Sequence, residues 1–505
     1  MENVFCSLYT QSSMEPAAEK AALQELLLHL GQEAAQQQIE RHSSSHRLDG
    51  MICRALEAAS EHSDFSADDL ERFCREMADE TGRKLPQNRF ELVHLGERFR
   101  RRNCNCAGMY PLIYGGLKGI AEYGMRLSGN NTPAPEITDY LKKILAYLLV
   151  PGLDTPELTA LAQDCGRMCY HTFQQLSRKN RLDYGIPRPV RIRTSPVPGK
   201  AVLVAGQDFQ VLADLLELAR ERDVRIYTCG ELLSAHTYPG FQQYWQLAGH
   251  YGTTWKNHRK EFEDFPGTIL LTSGCFRPDL RGLEDRCFSC GAVWTPGITH
   301  LKREELETVL ENADKLPGFD RNFPEEAVSA GFGYEVLESS LPGIISMMER
   351  GALRHISIVG GCDRSENDGR YFPELIKQFP ADALILTFGC GKAHFHRDTA
   401  GRIGEFPRLL DMGQCSDVYG VIHFFRTMAD RLGLEIGSLP VSVFISWNAE
   451  RAIPAILTLA VSGFEEMFVG DGIPADILES LQNIAVIRTV STPEKDLTLC
   501  GQAYR

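Results

Sequence analysis

The stretch His355-Ile356-Ser357-Ile358-Val359-Gly360-Gly361-Cys362-Asp363 decides how this chain is read. A short apolar, β-branched run reads as a buried strand. Two glycines, a cysteine and an acid follow it at once, so a sulfur-bearing turn sits at the strand's carboxyl end. The same order recurs along the chain. Ala201–Ala205 leads to Gln207, Val224–Thr228 to Cys229-Gly230-Glu231, and Thr268–Thr272 to Gly274-Cys275. Ala383–Thr387 leads to Phe388-Gly389-Cys390-Gly391-Lys392, and Val441–Ser446 to Trp447 through Arg451. Ala485–Thr489 is a further candidate strand. Helix-like segments, among them Asp208–Arg220, Pro373–Phe379 and Val418–Leu432, lie between them. Strands alternating with helices predict parallel α/β architecture, and in such sheets ligands bind beyond the carboxyl ends of the strands.

The residues at those ends carry the chemistry. Cys275, Cys362 and Cys390 follow strands, and Cys415 lies in the loop Gly413-Gln414-Cys415-Ser416-Asp417. Glycine beside cysteine lets backbone approach a bulky group. Four thiolates suit an iron–sulfur cluster. Zinc is the simpler alternative, but structural zinc favours close pairs such as C-x-x-C. Cysteines scattered from 275 to 415 fit a cofactor between domains better.

Outward from this core the texture changes. Residues 1–195 read as helical, with Leu23, Leu26, Leu27 and Leu30 at helical spacing in Ala17–Ile39. Further helices are predicted at Asp68–Thr81, Leu112–Leu127, Glu136–Leu149 and Thr155–Leu176. Arg41–Leu48 and 130–135 read as loops. The predicted fold class is therefore α + α/β: a helical domain over 1–195, then parallel α/β domains over 200–340 and 341–505. Fifteen cysteines in 505 residues, with no visible secretory signal, point to a reducing, cytoplasmic setting. Hydrophobic residues at 43% and charged residues at 24% are ordinary for a globular protein. A net charge of −14 offers nothing global to attract a polyanion, so no nucleic-acid partner is expected. No run is long and apolar enough for a membrane span, so no membrane partner is expected.

From residue 110 onward the chain resembles the hybrid cluster protein (hydroxylamine reductase) family, related in fold to carbon monoxide dehydrogenase. The resemblance rests on Ile113 through Tyr123 (IYGGLKGIAEY), Tyr184-Gly185-Ile186-Pro187, Gly230 through Pro239 (GELLSAHTYP), Glu263 through Gly267, Gly360-Gly361-Cys362-Asp363, Cys390-Gly391-Lys392, Gly413-Gln414-Cys415 and Ser446-Trp447. It implies a helical domain and two Rossmann-like α/β domains around a mixed iron–sulfur–oxygen cluster. It also implies reduction of a small nitrogen substrate, hydroxylamine or nitric oxide, with electrons from a donor protein. Carried over by position, the cluster cysteines are Cys275, Cys362, Cys390 and Cys415, with Cys362 at the persulfide-prone position. Glu231 takes the first glutamate position. The family histidine position falls at Gln207, the second glutamate at Ala449 and an active-site lysine at Arg451. The implied catalytic set is thus Glu231, Cys362 and Arg451. An arginine there keeps its charge and does not readily deliver a proton, though it can stabilise negative charge. Fewer hard ligands favour a conventional 4Fe–4S cluster over the mixed one. That motivates a second reading: a paralogue serving as redox sensor, electron carrier or scaffold. Gln207, Glu450, His394 and His396 are the candidate substitute ligands.

The family's N-terminal cluster motif is altered too. Cys6 matches its first cysteine, but Tyr9 replaces the next. Cys104 and Cys106 precede the matching helix after an insertion. Cys6, Cys104 and Cys106 are the candidates for a second cluster, with Cys53 or Cys74 as a fourth ligand. Plainer readings attach to the rest. Cys53, Cys74, Cys165 and Cys169 fall in helical patterns and read as small buried residues. Cys287-Phe288-Ser289-Cys290 has metal or redox spacing but no second pair, so it reads as structural. Cys229 lies close in sequence to the proposed pocket but takes no family role, Cys500 reads as incidental, His236 as a packing or pocket residue, and Arg100-Arg101-Arg102 as a solvated turn.

Overall fold

The computed structural model describes residues 16–42, 45–59, 65–102, 108–129, 132–272, 279–291, 295, 297–362, 368–394, 401–404, 406–448 and 452–500. Seven helices occupy the N-terminal part: α1 Pro16–Glu40, α2 His46–Ala58, α3 Ala67–Thr81, α4 Arg89–Arg102, α5 Met109–Ser128, α6 Pro135–Tyr147 and α7 Thr155–Tyr184. The predicted loop Arg41–Leu48 ends early. Ser45 caps α2, its side chain accepting from Leu48 N at 3.3 Å, so the helix begins at His46. None of the helices is long and apolar enough, among the described residues, to cross a membrane.

The chain forms two compact units, residues 1–106 with 139–152, and residues 107–138 with 153–505. In the first, α1 buries Leu23, Leu26, Leu27 and Leu30 among α2, α3 and α4. A Cβ at Gly96 of α4 would lie 2.0 Å from Ala22 O, so these two helices meet backbone to backbone. Cys53 and Cys74 are buried in this helical packing, and burial pushes both thiols up to about 12. They are packing residues, as their helical positions predict.

The second unit holds two parallel sheets. The strands in chain order are β1 Val190–Arg193, β2 Lys200–Gly206, β3 Val224–Gly230, β4 Leu247–His250, β5 Thr268–Leu271, β6 Cys287–Cys290, β7 Thr299–Leu301 and β8 Ala327–Ala330. They continue as β9 His355–Gly361, β10 Ala383–Phe388, β11 Arg402–Ile403, β12 Phe406–Pro407, β13 Leu409–Asp411, β14 Val441–Ser446, β15 Glu466–Val469 and β16 Val486–Thr489. The first sheet has the order β4-β3-β2-β5-β6-β7 and the second β13-β10-β9-β14-β15-β16, with every pairing parallel. β1 pairs antiparallel with β8. Val202, Val204, Ile226 and Leu270 join one core of the first sheet, and Ala201, Leu203, Tyr227 and Ile269 join another. Alternate side chains thus enter cores on opposite faces. This explains why such strands read as continuous apolar runs.

The glycines of the Ile113–Tyr123 stretch are spacers between helices. A Cβ on Gly115 would lie 2.5 Å from Ile453 Cδ1, and one on Gly119 would lie 2.3 Å from Pro454 Cγ. A Cβ on Gly116 would meet Cys165 Cβ at 3.0 Å, and Cys169 Sγ lies 3.6 Å from Gly116 O. Cys165 and Cys169 therefore belong to a tight contact of α5 with α7. The Ile453–Ala460 helix closes on the same two helices.

Candidate metal centre

In each sheet the order of the strands reverses once. β2 runs between β3 and β5, and β9 between β10 and β14. Crevices at the carboxyl ends of such strands are the ligand sites of open parallel sheets. Gln207 follows β2, Glu231 opens the turn directly after β3, Cys362 follows β9, and Cys390 opens the turn after β10. Cys415 opens the short 3₁₀ turn Cys415–Asp417 beyond β13.

Hydrogen bonds join the two sheets at these ends. Cys415 N donates to Glu231 Oε1 at 3.1 Å. The side chain of Gln414 donates to Gln207 O at 2.9 Å and to Glu231 O at 3.4 Å. Ser446 Oγ donates to Cys362 O at 2.5 Å, fixing the turn after β9 against the end of β14. Lys392 is buried, and its Nζ donates to Asp411 Oδ1 at 2.6 Å and to Gly413 O at 2.9 Å. Gly413 N closes the loop by donating to Asp411 Oδ1 at 2.9 Å. This buried pair therefore sets the path of the chain into Cys415.

Sulfur crowds the same place. Burial, then the neighbouring Glu231, Cys362 and Cys390, push the Cys415 thiol well above its usual range. Glu231 is only 7% exposed. Burial raises its carboxyl above the usual carboxylate range, while the Cys415 thiol, Arg126 and Lys392 pull it back. Gly389 is required here for two reasons. Its φ is +78°, and a Cβ would lie 2.8 Å from Cys415 Sγ and 2.7 Å from Gly361 O.

Glu231 and the cysteines beside it are donors of the kinds that metal groups take. Glu231 Oε2 is buried with no hydrogen-bond partner among the described residues. A buried carboxylate oxygen left unsatisfied is costly, and a cation removes that cost. A thiol that burial keeps protonated, as at Cys415, releases its proton when it binds a metal. Among the described residues, no three Cys, His, Asp or Glu side chains stand close enough to hold one metal ion. One zinc would need its sulfurs about 2.3 Å from a common centre.

Gln207 is buried and in this group, but its Nε2 donates to Glu122 Oε1 at 2.6 Å. Cys6, Cys104, Cys106, Cys275, His396, Ala449, Glu450 and Arg451 lie outside the described residues. His394 ends the 3₁₀ turn that Cys390 begins. The Cys287–Cys290 pair does not converge. The two residues lie on opposite faces of β6, Cys290 in one core of the first sheet and Cys287 in the other. Period-two alternation keeps i and i+3 of a strand apart. Cys229 Sγ lies 3.9 Å from His258 Nε2 in that second core. His236 Nε2 meets Thr228 Oγ1 at 2.9 Å, a packing role.

Sequence reading missed Arg126 and the part played by Gln414. Arg126 Nη2 donates to Gln207 O at 2.8 Å and to Gln414 Oε1 at 2.9 Å. The available signal was Glu122 and Arg126, one turn apart in a largely apolar, glycine-rich helix.

Comparison with known proteins agrees with this architecture. The model of the Prismane/CO dehydrogenase family matches residues 17–498. The hydroxylamine reductase of Acidiphilium cryptum (strain JF-5) is 34% identical over 394 residues, covering 77% of this chain and 71% of that protein. The hydroxylamine reductase of Zymomonas mobilis subsp. mobilis (strain ATCC 31821 / ZM4 / CP4) is 33% identical over 396 residues, covering 78% and 73%. In structure, carbon monoxide dehydrogenase IV from Carboxydothermus hydrogenoformans superposes with a TM-score of 0.60 at 15% identity, over 96% of this chain and 88% of that one. That last likeness concerns the fold alone. With a family match running almost end to end and relatives a third identical over most of their length, this chain belongs to the Prismane/CO dehydrogenase family.

Proposed function

We propose that this chain is an iron–sulfur oxidoreductase that reduces a small nitrogen compound, hydroxylamine or nitric oxide, with electrons from a donor protein. The observation that carries the reading is the gathering of Cys362, Cys390, Cys415 and Glu231 at the carboxyl ends of two sheets, around a buried and unsatisfied Glu231 Oε2. The proposed ligands are Cys275, Cys362, Cys390 and Cys415 with Glu231. The hydroxylamine reductases that resemble this chain supply the substrate class. When bound, the cluster supplies storage and transfer of electrons. The chain's own residues do the rest. Burial of Glu231, Cys362 and Gln207 excludes bulk water. The Lys392–Asp411 pair holds the Cys415 loop in register. Arg451, at the family lysine position, would bring a permanent charge able to bind an oxyanion.

A second reading draws support from Gln207. Its Nε2 donates to Glu122 Oε1, so its carbonyl oxygen is the only side-chain atom left to ligate, and a neutral amide oxygen is a weaker ligand than imidazole. A conventional 4Fe–4S cluster on the four cysteines would then serve as redox sensor, electron carrier or scaffold. Anaerobic reconstitution, iron and sulfide counting, EPR and a hydroxylamine-reduction assay separate the two. Turnover with an oxygen-bridged signal supports the enzyme, and a plain cubane without turnover supports the second reading. Absence of bound iron refutes both.

A further inference from the structure

Arg126 leaves α5 and reaches the carboxyl ends of both sheets. Nη2 donates to Gln207 O at 2.8 Å and to Gln414 Oε1 at 2.9 Å. Gln414 returns two bonds, to Gln207 O and Glu231 O. One guanidinium thus ties the turn after β2 to the loop that presents Cys415. Its carbon lies 5.1 Å from the Tyr123 ring centroid. Nη1 is buried with no hydrogen-bond partner among the described residues. Both oxygens that meet Nη2 are uncharged, so the positive charge is not cancelled at contact. Its field reaches the carboxylates of Glu231 and Asp208, where it opposes the effect of burial. Lys392 also faces Glu231, but Asp411 offsets it at 2.6 Å.

We propose that Arg126 is a positioning residue whose fixed charge raises the reduction potential of the centre held beside Glu231. This inference rests on the iron–sulfur reading given above. Each electron that enters the centre adds one negative charge to it. A nearby cation in a water-poor site stabilises that charge. Arginine keeps its proton, so the bias is constant across the working pH range.

The test is a potentiometric titration followed by EPR, on the full chain reconstituted with iron and sulfide under anaerobic conditions. Arg126→Gln removes the charge. It should weaken the reduction equilibrium about tenfold, which is about 59 mV downward for one electron. Arg126→Lys keeps the charge and should hold the potential near that of the parent. Gln414→Glu sets a carboxylate against the guanidinium and should lower the potential even if Arg126→Gln does not fold. Unchanged potentials in Arg126→Gln and Gln414→Glu overturn the proposal. So does an equal fall in Arg126→Lys and Arg126→Gln, because the hydrogen bonds rather than the charge would then be responsible. A parent chain that binds no iron refutes the iron–sulfur reading instead, and iron counting tells the two failures apart.

Discussion

Replacing Lys392 by methionine tests how the Cys415 loop is held. The ammonium lies 2.6 Å from Asp411 Oδ1, and the two side chains are 3% and 0% exposed. At an effective dielectric of about 20, that separation gives a gross attraction of about 6 kcal/mol. Desolvation of both ions cancels much of it, so the net worth of the pair is small. Removing one ion alone is different, because the desolvation of the other stays uncompensated. Lys392→Met should therefore cost about 3–5 kcal/mol, and it also strips Gly413 O of its donor. The cost should appear locally, since Gly413 N and Cys415 N both depend on this loop path. Amide hydrogen exchange read by mass spectrometry over residues 411–418 should speed up about a hundredfold or more, since 1.4 kcal/mol is about tenfold. Lys392→Met/Asp411→Asn should recover most of the loss, because no charge is then stranded. Exchange within threefold of the parent in Lys392→Met would refute the reasoning, as would a double variant no better than the single one.

Three further outcomes follow from single observations. Gly389→Ala forces a Cβ to 2.8 Å from Cys415 Sγ at a positive φ, so iron bound per chain should fall severalfold while the far-ultraviolet circular dichroism is kept; full iron occupancy would contradict this. His355 is buried in the second sheet with Nε2 2.8 Å from Ser442 Oγ, and burial lowers its pKa from 6.5 to about 4. A histidine lowered in the fold adds stability above pH 6.5 that is lost as pH falls toward 4, in all about 3 kcal/mol. Urea unfolding at pH 7 and pH 4.5 should therefore show a shallower acid loss in His355→Gln, and an unchanged slope would count against it. Because Cys287 and Cys290 face opposite cores, Cys290→Ala should leave the iron and sulfide content of the reconstituted chain unaltered; a drop would show that β6 contributes a ligand.

The central strands were legible because burial on both faces writes them as unbroken apolar runs. Val441–Ser446 is recovered residue for residue, and β9 gains only its two glycines. The site was legible for the same reason, since Glu231, Cys362 and Cys390 stand where those runs stop. The edge strand β16 was legible as Ala485–Thr489, but other short strands were not. β4, β7 and β8 are three or four residues long and half-exposed, so nothing periodic marks them. The helix start at His46 was hidden in a run of serines and histidines that reads as loop until Ser45 is seen to cap it. The glycines of α5 could be quoted but not explained, because the residues they make room for, Ile453 and Pro454, lie more than three hundred positions away. Arg126 and Gln414 were missed for a related reason. Their meaning lies in a pairing across the fold, which no local pattern in either segment encodes.

The bonds that tie Gln414 to Gln207 and Cys415 to Glu231 span 207 and 184 positions. During synthesis, Gln207 and Glu231 leave the ribosome long before the loop that completes their surroundings. The first sheet can finish folding while its partner for the cradle is still untranslated. On the proposed reading, the cluster is then an addition to a nearly complete protein and not a nucleus on which the nascent chain collapses. A cell starved of iron should accumulate folded, empty chains, with little of the aggregate that a metal-nucleated fold would leave behind.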